Sequence, residues 1–174
     1  MRTSHRLSER ADPLLTIVVP CFQEEQTIPE FHKRITRVVK RLPVSCEILY
    51  VDDGSSDQTA DLLRHYQDGS NVRCLFLSRN FGKEAALSAG IDHARGSALI
   101  FIDVDLQDPP ELISSMVYHW QMGYDVVNMQ RDLRTGDSWL KRTSACSYYW
   151  IMQRLAERVD LPVDVSDLRL IGPA

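Results

Sequence analysis

The chain has 174 residues, 44% of them hydrophobic and 25% charged, which is enough to bury one good core and is read as a single folded domain. A formal net charge of -4 supplies no overall field for nucleic acid, so no DNA or RNA partner is expected. Cys21, Cys46, Cys74 and Cys146 are widely spaced, with no C-x-x-C pair and no histidine at ligand spacing, which argues against a zinc site or a disulfide framework and for reduced, cytosolic thiols.

Residues 1–13 are polar, with Arg2, Arg6 and Arg10 but no apolar core of a signal peptide, and are read as a flexible tail ahead of a domain over 14–174. No run approaches the ~18 apolar residues of a membrane span. The first strand is "LLTIVVP" from Leu14 to Pro20, followed by a helix with Ile28, Phe31, Ile35, Val38 and Leu42 on one face. A second strand, "EILYV" from Glu47 to Val51, leads to a helix striped by Thr59, Leu62, Leu63 and Tyr66. The third pair is "VRCLFLS" from Val72 to Ser78 with a helix striped by Leu87, Gly90, Ile91 and Ala94. The fourth is "ALIFIDV" from Ala98 to Val104 with Leu112, Met116 and Trp120, and a fifth strand, "YDVVNM", runs from Tyr124 to Met129. Beyond it come a polar stretch from Leu133 to Ser138, one long helix from Trp139 to Val159, and "DVSDLRLI", which can return as a strand. Strands buried on both faces and alternating with helices imply crossover units and a mainly parallel sheet, an α/β fold.

In such sheets ligands bind outside the carboxyl ends of the strands, so the residues after each strand carry the functional information. Here they are "PCFQEE", "DDGSSD", "RNFGKE", "DVDLQD" and "QRDLR". Each alone can be an ordinary turn. In "DDGSSD", Gly54 supplies the turn and Ser55, Ser56 or Asp57 a helix cap, which leaves Asp52 and Asp53 less explained. In "RNFGKE", Lys83 and Glu84 can be merely solvated. No G-x-G-x-x-G or G-x-x-x-x-G-K-S/T occurs in the first turn, so a diphosphate would need another counter-charge. Asp103 and Asp105 can supply it by holding Mg²⁺ or Mn²⁺, hard cations that take carboxylates plus phosphate oxygens, with the Gln107 amide as a further ligand. His32, His65, His93 and His119 fall in helical segments and are read as surface or packing residues.

The motifs "VVPCFQEE", "VDDGSSDQT", "SRNFGKEAAL", "IDVDLQDPPE" and "KRTSACSYYW", ordered between about Leu14 and Leu170, resemble those of the inverting family 2 glycosyltransferases of GT-A fold. Within them the chain is most similar to the polyprenyl-phosphate group, the bactoprenol glucosyltransferases first and the dolichyl-phosphate mannosyltransferases more distantly. The resemblance implies that Pro20, Glu24 and Asp53 contact the nucleoside, with Phe22 near its ring, and that Lys83, Asp103 and Val104 also belong to the nucleotide-sugar site. It implies a metal at Asp103, Asp105 and Gln107, and Arg131 and Arg142 at the acceptor phosphate. Asp105, Asp167 and Arg142 are the expected catalytic residues, Asp167 and Arg169 matching the family's "GDFRL". Gln23 stands where the family has Asn, and Ser166 and Leu168 replace Gly and Phe of that late motif. The chain ends at "IGPA", where family members continue into interfacial and usually transmembrane helices, so that segment is expected to be absent and transfer by the chain alone weak.

The implied reaction is attack of a lipid phosphate on the anomeric carbon of a nucleotide sugar of UDP-glucose or GDP-mannose type, with inversion. Residues 131–158 carry six arginines and lysines against three carboxylates, interleaved with Trp139, Tyr148, Tyr149 and Trp150. This suits a membrane interface at the cytoplasmic face, or a helix burying its aromatics on the sheet. A homo-oligomer would form through the absent C-terminal region. Two other readings within reach are a domain that binds nucleotide sugar without transferring it, and transfer to a hydroxyl acceptor, which needs a carboxylate base. Phosphohydrolases of the haloacid-dehalogenase type also use D-x-D, but after the first strand and with Thr or Val at the place of Gln107.

Overall fold

The computed structural model describes residues 14–67, 71–130 and 165–172. The expected tail over 1–13 and the expected helix from Trp139 to Val159 lie outside them. The strands are β1 (Leu15–Cys21), β2 (Cys46–Asp52), β3 (Val72–Phe76), β4 (Ala98–Phe101), β5 (Val126–Gln130) and β6 (Val165–Ile171). Between them run α1 (Ile28–Val39), α2 (Thr59–Tyr66), α3 (Lys83–His93) and α4 (Ile113–Gln121), the last entered through a 3-10 turn, Pro110–Leu112. One six-stranded sheet has the order β3-β2-β1-β4-β6-β5. β3, β2, β1 and β4 pair in parallel, while β6 runs antiparallel between β4 and β5. The sheet is therefore mainly parallel, as the alternation of strands and helices predicts.

Strand alternation divides the core. Ile17, Val19, Ile48, Tyr50 and Ile100 face the main cluster with Phe31 and Ile35 of α1, Leu63 of α2 and Met116 of α4. Val18, Leu49 and Val51 face the other side, against Ala86 of α3. In α1, Ile28, Phe31, Ile35 and Val38 form the buried stripe, with Pro29 in the first turn, where its missing N–H costs nothing. Each such side chain contributes about 1.5–3 kcal/mol of burial.

Three expectations shift. β3 ends at Phe76 rather than Ser78, and β4 ends at Phe101 rather than Val104, so the D-x-D carboxylates lie beyond the strand. In α3, Gly90 of the expected stripe is buried and Leu87 packs against the second cluster, but Ile91 is 49% exposed and the buried side chain is Ala86. The cause is close approach: a Cβ on Gly90 would run into Cγ1 of Val18, so the small-residue face of α3 lies against β1.

Candidate active site

β1 has β2 on one side and β4 on the other, with the crossovers leaving in opposite directions, which is the switch point where open α/β sheets form a crevice. At that point lies a cleft of about 280 Å³. Pro20, Cys21, Phe22 and Glu24 line it from the end of β1, Asp53 from the end of β2, and Asp103, Val104 and Asp105 from the segment after β4. Asn80, Gly82, Lys83 and Ala86 close it from the entry to α3.

The first two turns are zipped together. Asp53 N–H donates to the Cys21 carbonyl at 2.8 Å. Gln23 N–H donates to Ser55 Oγ at 2.9 Å, its Nε2 to Ser56 Oγ at 3.2 Å, and Glu24 N–H to Thr59 Oγ1 at 2.8 Å. Gln58 N–H returns a bond to Glu25 Oε2 at 2.9 Å. The side chains of Ser55, Ser56 and Thr59 thus serve the neighbouring turn, whereas the cap position of α2 is Gln58, without a side-chain cap bond, and only Asp57 accepts from the first turn of that helix, at Thr59 N–H, 3.0 Å. Gln23 meets these partners with φ 56, a left-handed conformation that Asn adopts more readily than Gln.

Asp53 is 3% exposed and joins the second turn to the third. Its Oδ1 accepts from Phe81 N–H and its Oδ2 from Gly82 N–H, both at 2.8 Å. Gly54 makes this approach possible, because its φ is +68 and a Cβ there would overlap the backbone of Arg79, with Asn80 N at 2.7 Å. Asp52, 2% exposed, accepts from Ser55 N–H at 3.4 Å. Both carboxylates left unexplained by turn chemistry alone therefore fix backbone.

After β4, Asp105 Oδ1 accepts from Gln107 N–H at 2.9 Å around Leu106, whose φ is 60. Glu111 anchors the far end of this segment through Arg34 of α1, Nε to Oε1 at 3.0 Å. Lys83 Nζ donates to Asp103 Oδ2 at 2.7 Å, tying the start of α3 to the first carboxylate of the D-x-D pair. The Cys21 thiol in the cleft wall is pushed well above its usual range, first by burial and then by the charges of Asp52 and Glu24. It is buried in the main core cluster, and a thiol kept protonated is a poor nucleophile.

Among the described residues no three His, Cys, Asp or Glu side chains converge as a metal cage. Two carboxylates at an open cleft nonetheless fit Mg²⁺ or Mn²⁺, which are held by one or two carboxylates with the remaining ligands from water and substrate phosphate. The donor set suits a cation that binds together with a diphosphate.

Of the residues expected at the site, Pro20, Phe22, Glu24, Asp53, Lys83, Asp103, Val104 and Asp105 share the cleft. Gln107 is exposed and not among the lining residues, and the bond it makes here to Asp105 is through its backbone. Asp167 lies in β6, two residues before Arg169, which pairs with Phe101, so its backbone comes alongside the end of β4. Leu168 is fully buried in the main cluster, which explains an apolar residue there whether Phe or Leu. Arg131 and Arg142 lie outside the described residues. Cys21, Asn80 and Gly82 were not singled out by the sequence; the last two sit in "RNFGKE", whose polar character was the available signal. His32 stacks on Tyr66 at 3.9 Å with its Nδ1 3.0 Å from the Tyr50 hydroxyl, while His65, His93 and His119 are exposed, so none belongs to the cleft.

Comparison with known proteins places this geometry. The chain is 44% identical over 158 residues to an uncharacterised glycosyltransferase of Synechocystis sp., covering 90% of this chain and 49% of that protein. It is 40% identical over 159 residues to the bactoprenol glucosyl transferase of Shigella phage SfV, covering 91% and 52%. The chain thus spans about half the length of these relatives. In fold it is similar to glucosyl-3-phosphoglycerate synthase from Mycobacterium tuberculosis, solved with Mn²⁺, UDP and phosphoglyceric acid, with a TM-score of 0.67 at 20% identity over 92% of this chain and 56% of that one. The mannosyltransferase from Pyrobaculum calidifontis, solved with GDP-Man and Mn²⁺, gives a TM-score of 0.60 at 18% identity over 94% and 45%. Residues 16–171 match the family model described as glycosyl transferase family 2, and with the cleft at the sheet's switch point and the D-x-D pair at its edge, the chain belongs to that family.

Proposed function

We propose that this chain carries the donor site of an enzyme that transfers a hexose, glucose favoured, from a nucleotide sugar to a polyprenyl phosphate with inversion. The observation that carries the reading is the convergence of Glu24, Asp53, Lys83, Asp103 and Asp105 on one cleft at the switch point. Relatives named as bactoprenol glucosyl transferases and an undecaprenyl-phosphate transferase support the acceptor class.

In this reading Phe22, 40% exposed, offers its ring to the base, and Asp53 holds the turns that frame the nucleoside. Asp103 and Asp105 hold Mg²⁺ or Mn²⁺, which supplies charge neutralisation on the departing diphosphate when bound. Lys83 adds a second positive charge beside it. The acceptor phosphate, with its second pKa near ~6, is already anionic at neutral pH, so a strong general base is not essential. Its oxygen forms a bond to the anomeric carbon as the bond from that carbon to the diphosphate oxygen breaks, and the nucleoside diphosphate leaves with the electron pair. Arg131 and Arg142 bring the second anion into line, Asp167 borders the reacting centre, and the basic, aromatic residues 131–158 meet the cytoplasmic face of the membrane.

The test is titration calorimetry with UDP and GDP, with and without Mn²⁺, followed by turnover with polyprenyl phosphate in liposomes. Asp105→Asn should leave the fold intact and remove the metal-dependent part of nucleotide binding. An unchanged Mn²⁺ dependence in that variant would refute the metal assignment. Nucleotide binding without any turnover in a chain carrying the full length of its relatives would refute the transfer.

A further inference from the structure

Lys83 occupies an unusual place. It is the first residue of α3, where a cation is opposed by the helix dipole, yet it is joined to Asp103, twenty residues away in sequence, at 2.7 Å. Among the described residues lining the cleft it is the only lysine or arginine, facing Glu24, Asp53, Asp103 and Asp105. Its backbone is held in place, since Asp53 grips the amides of Phe81 and Gly82 just before it. Its side chain is not enclosed: it is 43% exposed, against 24% for Asp103. A lysine offers three rotatable donors on a flexible four-carbon stem, so the ammonium can leave one anion for another without moving α3.

Resting on the donor-site reading above, we infer that Lys83 is an exchangeable counter-ion: it neutralises Asp103 while the cleft is empty and passes to the donor's diphosphate when a divalent cation takes that carboxylate. An ammonium on Oδ2 of Asp103 and a divalent cation on either oxygen of the same carboxylate lie a few ångströms apart and repel strongly, so the two compete even where they use different oxygens. Metal binding displaces the lysine, and the phosphate arriving with the metal provides the displaced charge with a new partner. Lys83 thereby opposes metal binding alone and favours metal and nucleotide together.

The two effects have opposite signs, and a lysine that only stabilised the fold would not produce them. The experiment measures Mn²⁺ binding to the whole chain by electron paramagnetic resonance, without nucleotide, and UDP and GDP binding by calorimetry at saturating Mn²⁺, for the parent, Lys83→Met, Lys83→Gln and Lys83→Arg. The neutral variants should bind Mn²⁺ alone about fivefold more tightly, the factor that corresponds to the upper end of a partly exposed ion pair. They should bind the nucleotide in the presence of Mn²⁺ about fivefold or more weakly, and Lys83→Arg should restore both affinities toward the parent. Neutral variants with unchanged or weaker Mn²⁺ binding overturn the inference. If the parent binds Mn²⁺ with UDP or GDP in that case, the donor-site reading stands and Lys83 alone is misassigned. A parent that binds neither nucleotide, with or without Mn²⁺, overturns both.

Discussion

The Asp53 latch gives a sharp test of how the cleft is held together. Asp53→Asn keeps the shape of the side chain and leaves one oxygen to accept from one of the two amides, Phe81 N–H or Gly82 N–H. The other amide then faces an NH₂ group, donor against donor, at a site that is 3% exposed. A hydrogen bond to a charged group contributes ~1.5–3 kcal/mol, and leaving a buried donor without an acceptor costs ~1–3 kcal/mol, so a net loss of about 2–4 kcal/mol is expected. For a chain of this size that corresponds to about 5–12 °C in the thermal midpoint. Urea denaturation should show a lower midpoint with an unchanged slope, and hydrogen exchange should accelerate at Phe81 and Gly82. UDP binding should weaken more than tenfold, because the same turn carries Asn80, Gly82 and Lys83 into the cleft. A variant within about 0.5 kcal/mol of the parent, with both amides still protected, would refute the latch.

Two further outcomes follow from backbone strain and from buried thiols. Gln23→Asn should raise stability by about 0.5–1 kcal/mol in urea titration, since Asn tolerates the left-handed region that Gln23 occupies at φ 56, and an equal loss would mean that the Nε2 bond to Ser56 outweighs the strain. The Cys46 thiol is raised from its ordinary 9.0 to about 12, first by burial and then by Glu47. In the unfolded chain it loses its proton near its ordinary value, so in that window the unfolded state binds fewer protons than the folded one and stability falls as pH rises. The parent should therefore lose stability steadily from about pH 9 towards 12, and Cys46→Ala should flatten that slope, with the contribution of Cys74, also raised to about 12 by burial, remaining. A slope identical in parent and variant would rule out Cys46 as a source.

The sheet is legible because its central strands are buried on both faces, so β1 and β2 read as mostly apolar runs, interrupted by Thr16 in the first and by Glu47 and Asp52 near the ends of the second. The polar turns at their ends identified the cleft edge by residue type alone. In α3 the expected stripe holds at Gly90 and Leu87 and fails at Ile91, which is exposed, because the closest contact is made by Ala86 and Gly90, small residues that leave no hydrophobic period. The ends of β3 and β4 were overextended because apolar character outlasts the ladder: Ile102 and Val104 are both buried although neither belongs to the strand. The zipping of Gln23 to Ser55 and of Glu24 to Thr59 was not legible, since it depends on β1 and β2 being neighbours and on the left-handed turn at Gln23.

The acidic ends of the strands divide into two kinds, and the division has a consequence for how a ligand enters. Asp52 and Asp53 are buried and held by backbone amides. An amide fixed in a turn cannot follow a carboxylate that rotates, so either side chain can serve a ligand only through lone pairs its amides leave open, and rotating it away would strand a buried donor at ~1–3 kcal/mol. Among the described residues no buried side-chain nitrogen or oxygen is without a hydrogen-bond partner, so the resting cleft carries no such penalty. Asp103 is held differently, by a partly exposed ammonium on a flexible stem. When that partner is displaced it returns to water or to another anion at little cost. The carboxylate whose partner is a flexible, partly exposed ammonium thus lies at the open edge after β4, and those whose partners are fixed amides lie at the turns they support.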